Sequence, residues 1–221
     1  MMETRRNFLK LAGLTGVTTL ATLKGASALS DCDFRQTPSQ VKGPFYPLNF
    51  PVDSDVDLTQ IKNSRFRAAG EIVIVEGIVT DDMCRPIEGA IVEIWQACHT
   101  GRYNHPSDTS GTALDPNFQY YGTMKTNAKG EYSFKTIKPG SYQASANWRR
   151  PPHIHYKVSL RGYQELITQL YFAGEALNDV DSILQSLGRE DQKKIVVDFK
   201  PAIVKGESLL KGKFDITLRK V

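Results

Sequence analysis

The stretch Arg149–Leu160 reads RRPPHIHYKVSL. Pro151 and Pro152 keep a helix from running through it. The residues from Ile154 to Leu160 have the composition of a strand, in which alternate side chains share one face. His153 and His155 therefore stand side by side, near enough to reach one metal ion. The chain has 4 histidines, and two of them are here. A pair of packed or surface histidines is the plainer alternative that the spacing leaves open.

The same strand character recurs on either side of this stretch. Ile72 to Val79 is dense in β-branched residues and has no helical period. In Ala90–Gln96, Ile91, Glu93 and Trp95 make a mixed face opposite the apolar Val92 and Ile94. Further strands are expected at Tyr120–Thr126, Glu131–Lys135, Leu166–Phe172, Ile195–Phe199 and Phe214–Leu218. Asn127-Ala128-Lys129-Gly130 and Lys138-Pro139-Gly140 read as turns. A loop from His99 to Asn117 is long enough to suggest a functional role. Residues 179–194 read as one short amphipathic helix, with Val180, Ile183, Leu184 and Leu187 at helical spacing. The fold class this predicts is all-β: a β-sandwich of mainly antiparallel strands, with long loops and one short helix.

Upstream the chain changes character. Residues 29–70 are expected to form an irregular N-terminal arm, stiffened by Pro38, Pro44, Pro47 and Pro51 and ending in a polar linker over 51–70. The β-sandwich domain is expected over 71–221. Residues 1–28 read as a signal peptide: TRRNFLK is a basic head, Leu11 to Leu23 a weakly apolar middle, and Ala26-Ser27-Ala28 a cleavage site. Arg5-Arg6 resembles the twin-arginine export signal, which places the mature protein in the periplasm or outside the cell with no stable membrane anchor.

The chain has 221 residues and a formal net charge of +4. Most of that charge lies in residues 1–28, so the remainder is nearly balanced and gives no support for a nucleic-acid partner. The three cysteines, Cys32, Cys84 and Cys98, permit one disulfide in an oxidising compartment, with the pairing open and Cys98 read as a small packed residue.

Seven stretches carry a resemblance. GIVTDDMCRPIEGAIVEIWQA, GRYNH, LDPNFQYYG, KGEYSFKTIKPGSY, RRPPHIHY and TQLYF follow one another in order, and KFDITLRK lies near the C-terminus. Together they resemble the intradiol ring-cleavage dioxygenases, most closely the protocatechuate 3,4-dioxygenase branch. The resemblance implies a non-haem Fe(III) held by Tyr103, from GRY, Tyr142, from KPGxY, and His153 and His155, from HIH. It also implies a catechol-type substrate cleaved with O2 to a cis,cis-muconate-type dicarboxylate. Tyr142 would be the axial ligand that leaves the metal and takes a substrate proton. Arg150 would stabilise anionic charge on the bound ring, and Gln169 would orient a ligand or hold a proton.

Gly43-Pro44 resembles a substrate-side segment that the protocatechuate enzyme draws from its other subunit. Having both halves in one chain implies a homo-oligomer or a self-sufficient protomer, with a partner subunit as the alternative. Protocatechuate is the first expectation for substrate, because the motifs match that branch and basic side chains lie near. Tyr142 and His153 are 11 residues apart, shorter than in that branch.

The ligand types agree with elementary chemistry. Ferric iron is a hard Lewis acid that suits oxygen anions and accepts imidazole. A tyrosine ionises only near pH ~10 when free, so it needs the metal to become a phenolate. Two other readings remain beside this one. A non-catalytic β-sandwich binding module, or a degenerate relative, would leave the histidines unligated. A zinc hydrolase would need a third ligand such as His105 or Asp108.

Overall fold

The ten-residue strand Ile72–Asp81 (β1) alternates half-buried and buried positions along its whole length. Val73, Val75 and Val79 form its inward stripe. Most of β1 pairs antiparallel with Glu131–Ile137 (β4). Its other edge pairs parallel first with Glu207–Lys213 (β11) and then with Ile216–Leu218 (β12). Lys200–Val204 (β10) extends β11, completing a five-stranded sheet. This computed structural model describes residues 35–51 and 53–221, which fall in one compact unit. The expected export signal over 1–28 and Cys32 lie outside the described residues.

The second sheet has the order Tyr121–Lys125 (β3), Ile91–Trp95 (β2), His153–Ser159 (β7), Leu166–Phe172 (β8) and Val196–Val197 (β9). Tyr142–Ser145 (β5) and Trp148–Arg150 (β6) form a separate two-stranded ribbon. The two large sheets share one core, to which β1 and β4 bring Val73, Val75 and Phe134, and β2, β7 and β8 bring Val92, Ile94, Ile154, Tyr156 and Leu170. This is the expected β-sandwich. Six strand pairs are antiparallel, and β1–β11, β1–β12 and β8–β9 are parallel.

Three local expectations need correction. The helix expected over 179–194 is broken into a 3-10 turn, Ala176–Val180, and two short helices, Ser182–Gln185 (α1) and Arg189–Ile195 (α2). Asp181 and Gly188 are the reason. Both adopt extended backbone, as N-caps do, and the Asp181 carboxylate accepts the Leu184 N–H at 2.9 Å.

The hairpin β10–β11 lies where no strand was expected. It turns through Lys205 and Gly206, both at positive φ, the two-residue turn that suits hairpin twist.

The polar linker is also more than a linker. Leu58 is fully buried in the main core, and its N–H donates to the Lys135 carbonyl at 2.8 Å. Among the cysteines, Cys98 is free and buried, as expected, and Cys84 is disulfide-bonded.

Candidate metal centre

The site is built on the face of the second sheet that points away from the core. Ile154 and Tyr156 of β7 point inward, so alternation sends His153 and His155 outward. Both imidazoles are nevertheless buried, because other parts of the chain cover them. Trp95 of β2 and Gln169 of β8 sit directly opposite His155 on either side. The indole stacks on the His155 ring with centroids 4.8 Å apart and planes 10° apart. Tyr171 stands opposite His153.

Each histidine is held differently. His153 Nδ1 lies 2.7 Å from the Pro151 carbonyl, which makes Nδ1 the protonated nitrogen and leaves the Nε2 lone pair for another partner. His155 Nδ1 is buried with no hydrogen-bond partner, so stacking fixes that ring.

Two glycines bring the tyrosines to the histidines. Gly101 precedes Tyr103 by two residues and Gly140 precedes Tyr142 by two. The Gly140 N–H donates to the Cys98 carbonyl at 3.0 Å. A Cβ on Gly101 would stand 2.4 Å from the Ser141 carbonyl oxygen, and one on Gly140 would stand 2.4 Å from that of His99. Only a bare backbone fits on either side. This contact joins the start of the long loop to the start of β5, and the two phenol rings meet edge-on with centroids 5.5 Å apart.

Asp108 then shapes the loop beyond Tyr103. Its carboxylate accepts the Tyr103 N–H at 2.7 Å and the Ser110 N–H at 3.0 Å, and pairs with Arg102 at 3.5 Å. Burial pushes the Asp108 carboxyl up, but the N–H groups of Tyr103 and Ser110, with the Arg102 charge, hold it below the usual range.

The four expected ligands converge. Tyr103 Oη lies 3.4 Å from His153 Nε2. The His153 and His155 rings are 4.9 Å apart, and the Tyr142 and His153 rings 5.7 Å. Burial, then the nearby Arg150 charge, holds both histidines well below their ordinary value, so both are neutral, as ligands must be. Burial, then the neighbouring Tyr142, pushes Tyr103 well above its ordinary value. Burial also raises Tyr142, with Arg150 pulling the other way. Even with the Arg150 guanidinium beside them, burial keeps both phenols above their ordinary value, so a bound metal ion is what would ionise them. Two phenols beside two neutral imidazoles are the donor set a hard trivalent cation such as Fe(III) takes, so the residues fit the implied ion.

The zinc alternative fares worse. Among the described residues no three His, Cys, Asp or Glu side chains come together. His105 instead accepts the Ser107 N–H through Nδ1 at 3.1 Å, and Asp108 is committed to the loop backbone.

Arg150 sits opposite Tyr142 in the β5–β6 ribbon and is only 3 % exposed. Its Nε donates to Asp181 at 2.9 Å, and Nη2 reaches Asp181, Gln169 and Tyr171. Nη1 lies 3.1 Å from His153 Nε2. The neighbouring Arg149 is exposed and donates to Ser141.

Gln169 also ties the site to the N-terminal arm, since its Nε2 donates to the Val41 carbonyl at 3.1 Å. Gly43 follows so closely that a Cβ there would stand 3.4 Å from Cε1 of His155. Phe45 stacks on Tyr103 at 4.4 Å. Between arm, loop and ribbon lies a cavity of about 370 Å³ whose wall includes Gly43, Pro44, Tyr142, Arg150 and His155.

Several residues of this arrangement were not singled out from sequence. Asp181 is fully buried against Arg150. Glu93 accepts from Tyr46 at 2.8 Å and Tyr121 at 2.7 Å, and pairs with Lys157 at 2.9 Å. The one available signal was the mixed face of β2, where Glu93 and Trp95 alternate with core residues.

The chain is similar to known proteins over most of its length. The family model described as Dioxygenase matches residues 41–220. The chain is 36% identical over 172 residues to the protocatechuate 3,4-dioxygenase beta chain of Burkholderia cepacia, covering 76% of this chain and 72% of that one. It is 31% identical over 208 residues to the catechol 1,2-dioxygenase of Candida albicans, covering 83% of this chain but 62% of that protein. Among solved structures it is similar to the dioxygenase domain of a dioxygenase carbohydrate-binding protein fusion from Streptomyces sp. SirexAA-E. That match has 28% identity and a TM-score of 0.61, over 85% of this chain and 100% of that one. The 3-chlorocatechol 1,2-dioxygenase of Rhodococcus opacus 1CP shares the fold, with 22% identity and a TM-score of 0.68 over 85% of this chain and 74% of that one.

Proposed function

The chain belongs to the intradiol ring-cleavage dioxygenase family, and we propose that Tyr103, Tyr142, His153 and His155 hold one Fe(III) at which a catechol-type diol is cleaved with O2. The observation that carries this reading is the convergence of two neutral imidazoles and two buried phenols, with Tyr103 Oη 3.4 Å from His153 Nε2. Bound there, the ion would supply Lewis acidity that draws the diol in as a dianion and makes its ring reactive toward O2.

The protein's own residues do the rest. Pro151 fixes the His153 tautomer, and Trp95 fixes the plane of His155. Tyr142, at the ribbon's edge opposite Arg150, takes one diol proton on its phenolate oxygen. Arg150 Nη1 is the guanidinium nitrogen not committed to Asp181, Gln169 or Tyr171, and it offers N–H to negative charge on the ring. Both atoms of O2 end in the cis,cis-muconate-type dicarboxylate, so no outside reductant enters the balance.

The purified chain should carry close to one iron per chain and a broad visible band from tyrosinate coordination. Catechol should give a muconate. Protein that stays colourless after ferric loading, or that yields a yellow semialdehyde, would overturn the assignment.

One chain supplies Gly43, Pro44, Tyr142 and His155 to a single cavity, and the same chain brings Tyr103 and His153 against Tyr142. This supports a self-sufficient protomer in a homo-oligomer, which sedimentation would test. Arg5-Arg6 supports export by the twin-arginine route; a Lys-Lys replacement should leave precursor in the cytoplasm.

A further inference from the structure

We infer that this site selects diols whose ring substituent is uncharged, a conclusion that rests on the catechol reading above. The cavity is larger than one ring requires, since about 370 Å³ falls within the ~300–1,000 Å³ typical of ligand pockets. A substituted ring therefore fits, and the chemistry of the wall decides which substituent.

Val41, Pro44, Ala144, Trp148 and Ile183 make much of that wall apolar. Ser107, Thr109, Ser110 and Gln143 add polar but neutral groups. Arg150 is the only basic side chain among the described residues that line the cavity. Its charge is already answered by the buried Asp181 at 2.9 Å, and most of its N–H groups are engaged.

The nearby cations Arg102, Arg149 and Lys42 do not line the cavity: Arg102 pairs with Asp108 at 3.5 Å, Arg149 donates to Ser141, and Lys42 lies over the Tyr46 ring at 4.8 Å. Asp108 also lines the cavity, with its charge answered by Arg102. A carboxylate on the ring would thus meet mostly apolar and neutral groups, with no unpaired cation on the wall. An alkyl, aryl or ester substituent would gain from the same wall. The sequence-based expectation of protocatechuate rested partly on basic side chains near the site; of these Arg150 alone lines the cavity, and it is paired with Asp181.

A matched pair isolates the charge: protocatechuate and its methyl ester. The full chain is loaded with gallium(III), a redox-inert stand-in for the ferric ion, and each diol is titrated by calorimetry near neutral pH. The ester should bind about tenfold more tightly, since the wall offers the acid's carboxylate no unpaired cation and the ester an apolar surface. Ile183→Arg, which puts a cation in the wall, should move the acid-to-ester ratio about tenfold toward the acid.

Acid binding as tight as ester binding in the unmodified chain would overturn the inference and leave the metal reading standing. If the gallium protein bound neither diol and the iron-loaded protein cleaved neither, the metal reading would fail and this inference with it. Should Ile183→Arg not fold, the matched pair on the unmodified chain decides alone.

Discussion

The second sheet has two faces made by the same strands, and they are built on opposite principles. The inner face of β2, β7 and β8 is Val92, Ile94, Ile154, Tyr156 and Leu170, apolar and closed by the other sheet. The outer face carries Glu93, Trp95, His153, His155 and Gln169, all buried, although no second large sheet covers them among the described residues. An irregular arm, a long loop and a short ribbon do the covering. The inner face is stabilised by apolar area, which tolerates exchange among residues of similar size. The outer face is a network in which each polar group needs its particular partner.

The outer face is where the larger losses are expected. His155→Ala should abolish the ferric band and turnover while the sandwich still folds, which visible spectroscopy and circular dichroism would read together. An intact band would mean that the outer face does not hold the metal.

Asp181→Ala should cost about 3–5 kcal/mol in urea unfolding, because it strands the Arg150 guanidinium in the interior. A loss below about 1 kcal/mol would show that water reaches Arg150. The inner face is tested by Ile154→Ala, expected to cost about 2–5 kcal/mol by leaving a cavity. In the protein that remains folded, the visible band should keep its position, since Ile154 faces away from the proposed metal site.

The smallest effect concerns Glu93. Burial raises its carboxyl, but hydrogen bonds from Lys157, Tyr121 and Tyr46 outweigh burial and hold it below the ordinary value. Its contribution is therefore full above the unfolded value of about pH 4.3 and is lost as pH falls through the lower folded value. Glu93→Gln should cost about 1–3 kcal/mol at pH 7. The gap between variant and parent should narrow in acid, and urea midpoints at about pH 7 and about pH 3.5 would show whether it does.

The inner face was legible in the sequence, and so was half of the outer one. Alternation in β-branched runs marks a strand and its faces, which is why β1, β2, β7 and β8 lie within a residue or two of where they were expected. HIH declared a shared face. Tyr103 and Tyr142 came only through resemblance, since their approach depends on the Gly101–Gly140 backbone contact, which no local pattern encodes. Asp181 looked like part of an amphipathic helix until its partner, 31 residues away, was in place. The hairpin β10–β11 was passed over because its strands are rich in charged and exposed residues. Its Lys205-Gly206 turn was the missed cue.

The way the arm is tied down has a consequence for when the site comes into being. Gln40, Val41 and Tyr46 reach partners 131, 128 and 111 residues further along the chain. Thr37 bonds to Thr217, at almost the other end of the described chain. The arm thus precedes in synthesis every strand that it must lie against. Contacts of such long separation close the largest loops, at the greatest entropic cost. The wall over His155 can form only on a sheet that already exists, so capture of the proposed metal belongs to the end of folding. In pulse-labelled hydrogen exchange, the Gln40 amide, which donates to Ile167, should gain protection after the amides of β7 and β8.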